Sequence, residues 1–458
     1  MTTAPISFQS TTMQSVTSRE AWTMTIAIGF ATTAALWGIG YFTFIGPGLA
    51  IGEVLFGLML LLIVVGGIFS GRYRELTSPG SGSTAFAGMR IGLVTAVINL
   101  LIMGSLIRDA GLMETLGWLC GVFIASMALG ALGGALGGRL PAVSRERVPS
   151  ALAVFAVVLA CTVGMLLFSG GLVTGLEAGL AVPDWPNSFG HNMLLYPLRN
   201  WEGGVFFEHA HRLYGMLVGT GTVTLMVLVF LNDSRIWLRT LSVALLFMVI
   251  IQGIMGGLRV TEISTNLAIV HGVFGQLVFV TTVMVAAFTT TRWTGPVLAK
   301  PHESTENDRP LTIALLVILV VQLVLGACLR HLQVVSAQGD GLILPQSAMY
   351  LHITMGIIAF VLAILVGLRA WGAYPDIRLV HRLGQAIMVV VGIQLVLGIL
   401  ALFVVLTRTN EIPPAPEVIT TSLHQATGAF LLALAALLMI WHRRLLAPIE
   451  PPIHLKSN

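Results

Sequence analysis

Apolar stretches of about 20 residues recur along the whole chain, separated by short polar connections. Twelve are readable, at 22–44, 51–70, 91–107, 113–137, 150–171, 206–230, 239–257, 267–290, 311–329, 347–368, 383–406 and 419–441. The runs are unbroken and show no period-2 alternation, which favours helices over a closed barrel. The pattern predicts an all-α polytopic membrane protein of about twelve transmembrane helices.

Polar residues divide this array unevenly. The Arg-rich turn Arg139–Arg147 separates four spans from eight, and all eleven histidines follow residue 190. Pro79-Gly-Ser-Gly-Ser83 reads as a flexible linker within the first part. Helix pairs repeat in the second part. Odd members end in related strings: Gly170-Gly-Leu-Val-Thr-Gly175, Gln252-Gly-Ile-Met-Gly-Gly-Leu-Arg259, Gln322-Leu-Val-Leu-Gly-Ala-Cys-Leu-Arg330 and Gln394-Leu-Val-Leu-Gly398. Even members carry His211-Arg-Leu-Tyr-Gly215, His271-Gly-Val-Phe-Gly275, His352-Ile-Thr-Met-Gly356 and His424-Gln-Ala-Thr-Gly428. The expected organisation is a four-helix region at 1–149 of unassigned role, followed by two pseudo-symmetric four-helix bundles at 150–295 and 296–458.

Histidine and glycine four residues apart share a helix face. An imidazole is costly in a bilayer unless it is paired or ligating, and four in register point to metal ligation rather than four separate hydrogen bonds. The glycine below each histidine is expected to leave room for a flat ring. Bis-histidine heme needs two imidazoles on opposite faces of one macrocycle. The natural pairs are His211 with His271, and His352 with His424. Gly253, Gly256, Gly326 and Gly398 read as packing glycines that let helices approach closely.

Composition and charge narrow the picture. The chain is 56% hydrophobic and 10% charged, with a mean hydropathy of +0.91. The lipid bilayer is therefore its surroundings. A net charge of +4 spread over loops gives no nucleic-acid footprint. The first 18 residues lack a signal-peptide pattern, so the first apolar segment is read as a retained helix. Cys120, Cys161 and Cys328 have no metal-type spacing and read as inert buried thiols. With both termini in the cytoplasm, only Arg108, Arg199, Arg212, Arg259, Arg330 and Arg408 of the 24 Lys and Arg lie outside. That orientation puts every His-x-x-x-Gly near the outer end of its helix.

The two bundles differ. Only the first copy reads Glu208-His-Ala-His211-Arg212. Glu208 projects from the face of His211, towards the edge of a bound ring, where a carboxylate can move protons. The competing account is a helix-N-terminal carboxylate in a favourable dipole. The outer loop Gly175–Pro186, with Pro183-Asp-Trp-Pro186, reads as a lid over this site or as an interfacial anchor. Arg212, Arg259, Arg330 and Arg408 are candidates for heme propionates, against snorkelling to lipid phosphate. His209 reads as interfacial, and His191 and His331 as exposed. His302, His381, His442 and His454 read as bland residues on the cytoplasmic side, and Glu53 as a helix-start carboxylate.

From Gly170 to the C-terminus the chain resembles heme A synthase. The resemblance rests on Gly-Leu-x-x-Pro-Asp-Trp-Pro, Glu208-x-x-His211-Arg212, Gly256-Gly-Leu-Arg-Val-Thr261 and the ordered histidines at 271, 352 and 424. It implies oxidation of the C8 methyl of heme O to a formyl group, giving heme A for cytochrome oxidase. His211 and His271 would then hold heme O or heme A as substrate or product, with Glu208 catalytic. His352 and His424 would hold a heme b that relays electrons. Implied partners are O2, an electron donor such as a quinol or a ferredoxin-like protein, heme O synthase and cytochrome oxidase assembly factors. The implied location is a bacterial-type cytoplasmic membrane. Two features depart from the family pattern: the outer-loop cysteine pair is missing, and residues 1–149 are additional. The same histidines would also serve a di-heme b electron carrier or a non-enzymatic heme-handling protein.

Overall fold

The computed structural model describes residues 17–45, 52–80, 82–107, 110–141, 149–296, 299–335, 342–343, 345–409 and 412–447. Arg108, Arg145, Arg147, His454 and Lys456 lie outside the described residues, as does Ser81 of the linker.

Among the described residues, twelve helices are long and apolar enough to cross a membrane. They are α1 (Ser18–Ile45), α2 (Gly52–Thr77), α3 (Thr84–Ile107), α4 (Leu112–Arg139), α5 (Ala151–Gly175), α6 (Gly203–Asn232), α7 (Ile236–Thr261), α8 (Thr265–Thr289), α10 (Thr305–His331), α11 (Gln346–Ala373), α12 (Arg378–Leu406) and α13 (Ala415–Leu445). A short α9 (Thr291–Thr294) follows α8. The expected spans are all present. Several helices run beyond them, as α3 does by starting at Thr84 instead of residue 91. Hydropathy falls at a polar first turn, whereas backbone hydrogen bonding continues through it. In α12 only 11% of the most apolar window is buried, as a helix facing lipid requires.

The chain forms two compact units, 1–97 with 120–151, and 98–119 with 152–458. In the first, α2, α3 and α4 meet backbone to backbone. A Cβ at Gly67 or Gly71 would come within 2.3 Å of the Gly130 or Gly134 carbonyl oxygen, and one at Gly88 within 2.0 Å of the Gly130 oxygen. Small residues one turn apart make this approach possible. Arg90 lies over the rings of Trp22 and Phe86, at 4.6 and 4.4 Å.

Both four-helix groups after residue 150 belong to the second unit. Here α13 packs on α8, α10 and α12. Phe279 of α8 meets Phe430 of α13 edge to face at 5.3 Å. Gly171 and Gly175 of α5 lie against Ser422 and Val418 of α13. Arg330 donates to the Thr174 carbonyl at 2.7 Å, and Arg408 pairs with Glu177 and Glu417 at 3.2 and 3.4 Å. These arginines, candidates for propionates in the sequence, tie the end of α5 to α10 and α13. At the opposite end, Arg444 donates to the carbonyls of Trp293 and Gly295.

Candidate functional site

Each of the four histidines enters within the first ten residues of its helix and packs against a glycine of the preceding helix. A Cβ added at Gly170, Gly256, Gly326 or Gly398 would lie 3.0, 2.9, 2.9 or 2.9 Å from Cε1 of His211, His271, His352 or His424. No side chain fits there without displacing the ring. Three of these glycines had read simply as packing positions, whereas they cradle the imidazoles. Gly253 has open space instead.

The glycine following three of the four histidines has a neighbour that the sequence pattern did not suggest. At Gly275, Gly356 and Gly428 the space is filled by the amide of Gln252, Gln322 and Gln394, whose Nε2 would lie 2.9, 3.1 and 3.1 Å from an added Cβ. Gln252 and Gln322 donate to the carbonyls of His271 and His352 at 2.9 and 3.0 Å. Gln394 Nε2 stands 3.4 Å from His424 Nε2. The strings Gln-x-x-x-Gly and His-x-x-x-Gly thus interlock antiparallel, histidine against glycine and glutamine against glycine. Their equal spacing was the signal in the sequence. The first copy departs: Ser169 Oγ lies 3.4 Å from His211 Nδ1, and Gly215 faces open space.

The His352 and His424 rings face one another with centroids 6.3 Å apart and planes at 81°. That separation spans two metal–imidazole bonds of about 2 Å plus the two ring radii. His211 lies within electrostatic reach of His271, Arg259 and Arg212. Nδ1 of His271, His352 and His424 is buried without a partner. Among the described residues, no three His, Cys, Asp or Glu side chains gather as a metal group. Paired imidazoles with a spare nitrogen and no thiolate suit axial ligation of heme iron.

The first pair is covered by the loop after α5. Glu208, 4% exposed, accepts from Val182 N–H at 2.9 Å with one oxygen and from Arg212 at 2.7 Å with the other. Arg212 also donates to the carbonyls of Val182, Asp184 and Asn187 at 2.8, 2.7 and 3.0 Å. All four N–H bonds of its terminal nitrogens are therefore directed at Glu208 and the loop. Asp184 accepts from the N–H groups of Phe189 and Gly190, both at 2.7 Å. Burial raises the Asp184 pKa, but these donors and the Arg212 charge outweigh it and hold the carboxyl below its usual range. The Trp185 indole lies on Gly257, where a Cβ would fall 2.2 Å from it. Arg259 donates to the Gly179 carbonyl at 3.1 Å and is within electrostatic reach of His211, His271 and Glu208. Glu208 is thus bonded both to Arg212 and to the loop after α5.

The sequence model of the cytochrome oxidase assembly protein family matches residues 196–436, just over half of the chain. The chain belongs to this family. The match takes in all four histidines, Glu208, Arg212 and Arg259 of this assembly protein, and it is the family that the motifs resemble. No curated protein matches the chain.

Four histidines of the assembly protein are placed differently from their expectation; of these His191, expected exposed, is half-buried. His209 is fully buried rather than interfacial: Nδ1 lies 3.1 Å from Ser188 Oγ, and the ring packs against Trp201 and Tyr196. The folded-back loop encloses it, which no helical periodicity could reveal. His442 is 1% exposed and sits 3.4 Å from Thr312 Oγ1. Beside it, buried Asp308 pairs with Arg369 and accepts from the Tyr374 hydroxyl at 2.6 Å. His331 is half-buried, near Arg259. Cys120 and Cys161 are exposed in the chain, not buried.

Proposed function

We propose that this assembly protein is a heme A synthase, an oxidoreductase that converts the C8 methyl of heme O to the formyl group of heme A. The observation that carries the reading is the inequality of two like sites. Both halves hold their histidines in glycine cradles, and among the described residues a lid fastened by Glu208 and Arg212 lies at the His211/His271 end. An electron relay needs no such cover, whereas oxidation of a bound substrate benefits from excluding water.

His211 and His271 would hold heme O as substrate, and His352 and His424 a heme b. Heme iron would supply the redox chemistry: two hydroxylations, each using one O2, two electrons and two protons and releasing one water, followed by loss of water from the hydrated aldehyde. The chain's own contribution is positional. The cradles fix the imidazoles, Gln252 and Gln322 hold the turns that carry His271 and His352, Gln394 lies against the His424 ring, and Trp185 on Gly257 keeps the loop by the first pair. Arg259, placed beside both imidazoles of that pair, is the candidate propionate partner. Glu208 is the candidate proton donor, and acting as one requires it to loosen from Val182 or Arg212. Electrons would come from a quinol or a ferredoxin-like donor, and the termini would lie in the cytoplasm. Heme O synthase and cytochrome oxidase assembly factors are the expected partners for substrate and product.

The test is aerobic incubation of the purified protein with heme O and a reductant, followed by separation of extracted hemes with mass detection. Hydroxymethyl heme and heme A should accumulate. Redox cycling of bound heme with no change in porphyrin mass would instead support the di-heme electron carrier.

A further inference from the structure

The four interlocked helix pairs share one register, which isolates the position where the first differs. In three pairs a glutamine opposes the glycine that follows the histidine, and its amide fills the space there. In the first pair the opposing residue is Leu166, four before Gly170. No atom lies within 4 Å of a Cβ built at Gly215, so Leu166 leaves the space open. The gap shares the helix face of His211 and lies one turn, about 5.4 Å, deeper in the apolar span.

We propose that the Gly215–Leu166 gap is the slot that admits a long aliphatic substituent of the ring held at His211, and so selects a tailed heme for the first bundle. This rests on the heme reading given above. A glutamine amide at this position would fill the slot and set a polar group against a hydrocarbon chain. Leucine and a bare glycine backbone offer an apolar wall and free volume, so chain burial adds to affinity. Both pairs of the second bundle are glutamine-filled and have no such space, which suits a heme with short substituents. Heme O carries an isoprenoid tail and heme b does not. A lipid acyl chain has the same chemistry and is the other possible occupant.

The test uses full-length protein in detergent, titrated with heme O and with heme b, and follows the low-spin absorbance gained at the first site. A His271→Ala protein provides the blank. Wild type should prefer heme O by about tenfold or more. Gly215→Leu fills the slot directly, and Leu166→Gln restores the glutamine of the other pairs. Both should lower heme O affinity by about tenfold while heme b affinity stays within about threefold. Unchanged preference in both variants, as a lipid-filled gap gives, or equal weakening of both hemes, overturns the slot. Wild-type protein that takes neither heme at His211/His271 overturns the heme reading as well.

Discussion

An imidazole held in a cradle of backbone is fixed more firmly than one held by a flexible side chain, because the backbone cannot yield. Gly326 and Gly398 therefore position the imidazoles of His352 and His424 although neither has a side chain. Gly326→Ala should force His352 off its position at a cost of about 1–3 kcal/mol. The expected result is less heme retained at the second site and an altered axial-ligand spectrum; an unchanged spectrum would show that the cradle yields. Glu208 makes a second residue-scale case. Glu208→Gln keeps the shape and removes the charge facing Arg212, weakening a charge-assisted bond by about 1.5–3 kcal/mol. Because Val182 N–H donates to this carboxylate, its hydrogen exchange should speed up about tenfold or more. Exchange at the wild-type rate would mean that Glu208 does not hold the lid.

At the scale of elements, the lid and the helices depend on different physics. The helices form because lipid leaves the backbone no other partner. The lid is held by a few polar bonds, so it responds to pH where the helices do not. Asp184 is held below the ordinary carboxylate range. A depressed carboxylate contributes its full stability above the unfolded pKa and loses it as pH falls through the lower folded value. The loop should therefore stay closed at neutral pH and open in acid, with the loss beginning below about pH 4. Limited proteolysis across residues 182–192 at graded pH would check this, with Asp184→Asn expected to be less protected at neutral pH and to lose the pH dependence. Protection independent of pH in the wild type would remove Asp184 from the account. The helices were legible because apolar runs of membrane length have one solution, and the histidines because their spacing repeats. The lid contacts were not, since Arg212 meets Asp184 and Asn187 through carbonyls, which no residue type encodes.

Across the whole molecule, the proposed function gives the two like halves different uses. The halves share the cradle and the antiparallel glutamine–glycine register, visible in sequence as two strings of equal spacing but not as one device until the helices are paired. They differ in Glu208, Arg212, the loop and the Gly215 gap, all of which lie on the first copy. The buried Asp308–Arg369–Tyr374 group with His442 had no counterpart in the sequence reading, because its members lie far apart along the chain. If the first pair of histidines serves the substrate and the second serves electron supply, the hemes extracted from aerobic membranes supplied with heme O will separate the two. Heme A or its hydroxymethyl precursor should appear with wild-type protein, unconverted heme O should stay bound in His424→Ala, and no heme O should be retained in His271→Ala. Only heme b and unmodified heme O from the wild type, with reductant present, would contradict that division of roles.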